Sequence, residues 1–145
     1  MNKRSVVVLS ALLWVACGTP TPEAGPAETG SAVELLPLSL QVQVQRERVH
    51  FVLHVSNPTA NPIQLEFGNA QRFDFEVRDA RGAEVWRWSA DQIFAQVVGQ
   101  ETVAPGATLK YEADWQPSAG AGTYTATGRL LTQPRGREQR TLFEI

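Results

Sequence analysis

The chain predicts an all-β fold, an immunoglobulin-like antiparallel β-sandwich of about seven to nine short strands. Three observations lead there. From Val33 onward, apolar residues recur at every second position, the period of a half-buried strand. The alternating runs are short and are separated by Gly, Pro and Asn at residues 57–62, 79–82 and 105–106. No long run of helical period interrupts them. A closed barrel would use the same pattern.

The strands follow in order. In "LSLQVQVQ", Leu38, Leu40, Val42 and Val44 share one face and polar residues the other. "RVHFVLHVS" sets Val49, Phe51, Leu53 and Val55 against His50, Val52, His54 and Ser56. After the break "NPTANP" come Ile63, Leu65 and Phe67, then Phe73, Phe75 and Val77 in step. "DARG" (79–82) predicts a tight reversal, with Gly82 free to take positive φ. "AEVWRWS" then returns as the partner strand, with Glu84, Trp86 and Trp88 facing one way and Val85, Arg87 and Ser89 the other. Residues 89–104 carry no clear period, although Ser89 and Gln92 fit a capped helical turn before Ile93 and Phe94. Leu109, Tyr111, Ala113 and Trp115 alternate again. "TYTATGRLL" and, after the turn "QPRGRE", "QRTLFEI" complete the set.

Trp86 and Trp88 are expected chiefly to pack, opposite Phe73, Phe75 and Val77 across the hairpin. An exposed aromatic pair would instead mark a binding surface.

The N-terminus reads as an address. Lys3 and Arg4 precede an apolar stretch from Ser5 to Ala16, too short for a membrane-spanning helix of roughly 20 residues but suited to a signal peptide. It ends in Trp14-Val15-Ala16-Cys17, which resembles a bacterial lipobox, although Trp14 stands where Leu is usual. Residues 1–16 are thus expected to be a lipoprotein signal peptide, with Cys17 lipidated and the protein held at the membrane of the cell envelope. Ordinary signal cleavage, leaving a secreted or periplasmic protein, is the alternative. Cys17 is the single cysteine, so no disulfide can staple the folded part. Residues 17–32, rich in Pro and Gly and without large apolar side chains, read as a tether. Residues 33–145 suffice for one domain with a core and not for two.

The chain has 13 basic against 15 acidic residues, and loss of the signal peptide would remove Lys3 and Arg4 but no acid. Lys110 is the one lysine beyond it. A mildly acidic domain is not built to neutralise phosphates, so nucleic acid is not an expected partner.

Little else in the sequence points to catalysis. His50 and His54 share a strand face but lie about 13 Å apart along it, too far to clasp one metal ion. Asp74 and Glu76 stand about 6.6 Å apart, a spacing seen in glycosidase acid pairs. Arg72 and Arg78 flank them on the same face, however, so the run reads as a solvated, charge-balanced exterior. Arg135, Arg137 and Arg140 near the final turn read as ordinary surface cations. Nucleophile elbows, phosphate loops and dinucleotide fingerprints are absent from the sequence. No enzymatic activity and no small-molecule cofactor are expected.

The run Phe73-Asp74-Phe75, Val77, Asp79, Gly82, Val85-Trp86 and Trp88-Ser89 is similar to the central hairpin of the BsuPI family, the intracellular proteinase inhibitor domains of bacteria. The series continues upstream with Val55, Asn57, Ile63, Leu65 and Phe67. Downstream it runs through Phe94, Gln96, Pro105-Gly106, Tyr111, Trp115, Gly122, Tyr124, Gly128 and Leu130. The resemblance implies an immunoglobulin-like sandwich and inhibition of a subtilisin-like serine protease. Two departures stand out. The founding inhibitor is intracellular whereas this chain begins like an exported one, and the shared residues define fold and turns, not an inhibitory loop. If the chain inhibits, an extended loop is expected to enter the protease cleft, and residues 57–62, 89–104 and 116–122 are the candidates. The competing expectation is a non-inhibitory adaptor that docks to another envelope protein. In either case the partner is a protein, and the membrane is met only through the N-terminal lipid.

Overall fold

The structure is a computed structural model, and it describes residues 33, 36–46, 48–118 and 120–145. The expected signal peptide, Cys17 and the tether lie outside the described residues. Where apolar residues alternate, the described chain extends into β1 (Leu38–Val44), β2 (Val49–Ser56), β3 (Ile63–Phe67), β4 (Phe73–Asp79) and β5 (Glu84–Arg87). It continues through β6 (Gly99–Val103), β7 (Thr108–Trp115), β8 (Thr123–Leu130) and β9 (Arg137–Glu144).

All pairings are antiparallel. One sheet runs β1-β2-β7 and the other β5-β4-β8-β9, while β3 and β6 form a separate ribbon. Pairing β2 with the distant β7, and β4 with the distant β8, is the strand order of an immunoglobulin-type sandwich. Among the described residues the ladders end at β1, β7, β5 and β9, so the described strands form an open sandwich and not the closed barrel. As β8 begins, the Tyr124 hydroxyl donates to the Gly120 carbonyl at 2.8 Å. That is the tyrosine corner expected of this fold.

The core lies between the two sheets. Phe51 on β2 stacks on Phe75 at 5.7 Å and on Trp86 at 5.5 Å, and meets Phe143 edge-on at 6.0 Å. Trp86 continues to Trp115 at 6.1 Å. Phe73 stacks on Tyr111 at 5.0 Å and on Trp88 at 4.3 Å. The tryptophans therefore pack as expected, each half-buried against the core. Gly128 faces this seam, where a Cβ would sit 3.2–3.3 Å from Leu40, Leu53 and Phe75, so a side chain there would push the sheets apart.

The hairpin departs from strict alternation at one point. Asp79 accepts the N–H groups of Arg81 and Ala83 on its side chain, both at 2.9 Å, and Gly82 takes φ +83° to complete the reversal. Trp86 pairs with Val77 but Glu84 pairs with Arg78, so Val85 is an extra, bulged residue. The bulge turns Glu84 to the outer face with Arg87, not to the Trp86 face as alternation implies. Trp88 does not continue the strand: Trp88–Asp91 is a 3₁₀ turn beginning one residue before the expected cap. Ser89 caps nothing, because its side chain is bonded to Asp74 instead. Within the unpatterned stretch, Gly99–Val103 is a strand held by β3.

Trp86→Ala is expected to cost about 3 kcal/mol, the low end for aromatic truncation because part of the indole stays in solvent. A shift in urea-unfolding free energy below about 1 kcal/mol would mean that the stack on Phe51 contributes little.

Candidate functional site

The outer face of β4 was expected to be solvated, and it is not. Glu76 is 2% exposed and Asp74 is also buried. The cover comes from strands whose neighbourhood the sequence does not spell out. Arg129 on β8 and Arg87 on β5 each reach the Glu76 carboxylate at 2.6 Å, and Arg78 closes on its other oxygen. Arg87 also meets Asp74 at 3.2 Å and pairs with Glu84, while Arg129 meets Glu138 at 3.2 Å. Arg72, expected in the same row, lies instead over the Phe67 ring at 4.6 Å and donates to the Asn69 carbonyl.

Burial would raise the Glu76 carboxyl pKa, but the hydrogen bonds from Arg129 and Arg78 and the charges of Arg129 and Arg87 outweigh it, and the pKa falls from 4.5 to about 2. An acid held ionised in this way is a poor proton donor. The pair is therefore a cross-strand clamp on the sheet and not a glycosidase couple.

Of the other charged candidates, His50, Arg137 and Arg140 are engaged, whereas the buried His54 Nε2 has no hydrogen-bond partner among the described residues. His50 Nδ1 lies 2.8 Å from Asp114 across the β2–β7 ladder, the inter-strand role expected of it. His54 sits between Ser39 and Lys110 in the register. Arg137 donates to the carbonyls of Val33 and Leu36, and Arg140 pairs with Glu138 at 2.6 Å. Of the expected arginine cluster, Arg137 thus holds the start of the domain.

The three candidate loops differ sharply. In residues 57–62, Asn57 is buried and fully bonded. Its Nδ2 donates to the Asn61 and Val103 carbonyls at 2.8 and 2.9 Å, and its Oδ1 accepts from the N–H and hydroxyl of Thr59 at 3.0 and 2.7 Å. That loop is a structural knot. In residues 116–122, of which Ala119 lies outside the described residues, Gly122 is bonded both ways to Ile145, at 3.0 and 3.1 Å.

The third loop, shortened by β6 to residues 92–98, presents apolar side chains to solvent. Ile93 is 101% exposed, Val97 65% and Val98 72%. Leaving an Ile or Val side chain in water forgoes roughly 1.5–3 kcal/mol of burial, so such a group marks a contact surface more readily than a stability device. The loop is nonetheless anchored. At its start Asp74 accepts from the Ser89 N–H at 3.1 Å and the Ser89 hydroxyl at 2.8 Å. Gln92 N–H donates to the Ser89 carbonyl at 3.1 Å, Phe94 packs on Trp88 at 5.8 Å, and Ala70 N–H donates to the Ala95 carbonyl at 2.9 Å. At its end β6 is fixed by β3 and by the Tyr111 hydroxyl, which donates to Glu101 at 2.6 Å. Ser89 and the loop's apolar residues were visible in the sequence, but their exposure and the Asp74 anchor were not.

The family model for BsuPI, intracellular proteinase inhibitor, matches residues 36–135. The chain belongs to the BsuPI family. Its family description is that of a proteinase inhibitor, which makes a protease the partner class for a BsuPI domain. No curated protein matches the sequence. Among solved structures it is similar to a penta-heme cytochrome c552 from Thermochromatium tepidum, at 12% identity and a TM-score of 0.51, over 84% of this chain and 42% of that one. The chain thus spans less than half of the cytochrome's length, and the likeness concerns the fold alone. A protein from Archaeoglobus fulgidus aligns at 11% identity and a TM-score of 0.41, over 76% of this chain and 97% of that one.

The Glu76 clamp has a signed pH dependence. Its folded-state pKa lies below the unfolded value, so its stabilisation is complete above about pH 4.5 and fades as pH falls toward 2. Glu76→Gln is expected to cost about 2–3 kcal/mol at pH 7 by removing the buried charge on which Arg129, Arg87 and Arg78 converge, although Arg87 and Arg129 keep their second carboxylates. The variant should also show a flatter loss of stability between pH 4.5 and 2 than the parent. Equal acid limbs in urea titrations would remove Glu76 from that role.

Proposed function

We propose that the chain inhibits a subtilisin-like serine protease of the cell envelope by inserting the β5–β6 loop, residues 92–98, into the protease cleft. The observation that carries this reading is a loop with one fully exposed and two largely exposed apolar side chains, tied to the sandwich at both ends. A loop anchored at both ends can present its main chain to a cleft at less ordering cost than a free one, because its anchors have already restricted it. Family membership supports the inhibitory class. The 57–62 loop is occupied by the Asn57 hydrogen bonds, and neither it nor the described part of 116–122 presents a large exposed apolar side chain.

The N-terminal sequence supports the place of action. Cleavage before Cys17 and its lipidation would hold the domain at a membrane through the tether, within reach of proteases at the envelope.

Two experiments test these readings. Full-length chain, purified in mild detergent, is expected to abolish subtilisin activity stoichiometrically and to remain intact. A variant with Ile93, Val97 and Val98 replaced by Ser, which leaves the packed Phe94 in place, should lose that effect while keeping its unfolding midpoint. No inhibition by the parent would overturn the proposal and favour the envelope adaptor. Cys17→Ser is expected to move the protein from the membrane to the soluble fraction of the producing cells, and unchanged membrane association would overturn the anchor.

A further inference from the structure

We propose that Ile93 is the side chain that enters the target's primary specificity pocket, and that this pocket accepts a neutral aliphatic group and rejects a cation; the inference rests on the inhibitor reading above. Ile93 stands between two fixed points. On one side Gln92 is bonded through its N–H to Ser89, and on the other the Phe94 ring is packed on Trp88. Ile93 itself leaves the fold altogether, at 101% exposure, while Val97 and Val98 lie beyond the Ala70–Ala95 hydrogen bond and are less exposed.

The side chain suits insertion. A β-branched residue is stiff at χ1 and loses little rotamer freedom on entering a pocket. From Trp88 to Val98 the sequence holds no Lys or Arg, and its single charge is Asp91. A protease with an acidic pocket floor, the trypsin type, finds there no cation to bind and meets an exposed anion two residues before Ile93. A protease with a hydrophobic or small pocket meets a complementary group. The partner is thus a serine endopeptidase that cleaves after uncharged side chains.

The same loop positions its own stem through Asp74. That carboxylate is bonded to Ser89 and to Arg87, so the outer-face clamp holds the residue from which the chain leaves for the loop. Asp74 is a positioning residue in this scheme and touches no part of the target.

The test compares full-length parent with Ile93→Arg and Ile93→Asp against subtilisin, elastase, chymotrypsin and trypsin. The parent is expected to inhibit at least one of the first three and not trypsin. Ile93→Arg should weaken that inhibition by about 100-fold or more and confer inhibition of trypsin, and Ile93→Asp should weaken it without conferring any. Both substitutions are at a fully exposed position, so melting temperatures should match the parent's. Inhibition by the parent that neither variant changes, or inhibition of trypsin by the parent, would overturn the pocket assignment and leave the inhibitor reading standing. Absence of inhibition by the parent and by Ile93→Arg against all four enzymes would overturn both.

Discussion

Phe51 sits where the two sheets meet, and the three rings packed against it come from three different strands of the opposite sheet: Phe75 from β4, Trp86 from β5 and Phe143 from β9. With a single cysteine, which lies outside the described residues, the domain has no covalent bridge between its sheets. Cohesion across the sandwich therefore rests on apolar area removed from water, aliphatic and aromatic alike, and the rings recruit strands far apart in sequence. This packing also explains the glycine at position 128. A larger residue there would separate Phe75 from Leu40 and Leu53, and with them the sheets.

Strand β4 links that core to the rest of the molecule because its two faces do different work. Phe73, Phe75 and Val77 point inward, while Asp74 and Glu76 collect arginines from β5, β8 and β4 itself. Glu76 fastens the sheet laterally, and Asp74 extends the same network to Ser89, where the chain leaves β5 for the exposed loop. Trp88 does the matching task on the inner face, stacked on Phe73 on one side and tilted against Phe94 on the other. The base of the loop is thus gripped from both faces of one strand.

The limits of legibility follow from what alternation encodes. It records which side of a strand is apolar, so the cores of β1, β2, β3, β4 and β7 were visible at once, as was the turn at Asp79–Gly82. It does not record which strands become neighbours. Asp74 and Glu76 looked solvated because Arg87 and Arg129 are distant in sequence, and only the β5-β4-β8 order brings them together. A bulge is equally invisible, since Val85 satisfies the alternation it breaks. β6 escaped notice because Val103 is its one fully buried residue, too few for a period to register. Residues 89–104 were already a candidate contact loop, but only the fold shows Ile93, Val97 and Val98 left in solvent.

That exposure carries functional meaning because the sequence is otherwise consistent with its fold. Local preference, pairing and burial agree along most of the strands, and they disagree where apolar side chains have been placed outside the core they would stabilise. A floppy loop would offer the same side chains more cheaply but would lose conformational freedom on every encounter with a partner. Here the loop's ends are restrained by a buried carboxylate, an aromatic contact, a backbone hydrogen bond and a two-stranded ribbon. Restraint of this kind shifts the ordering cost from binding to folding, where the aromatic core can offset it. The same anchors are what the inhibitor reading proposed above requires of the loop.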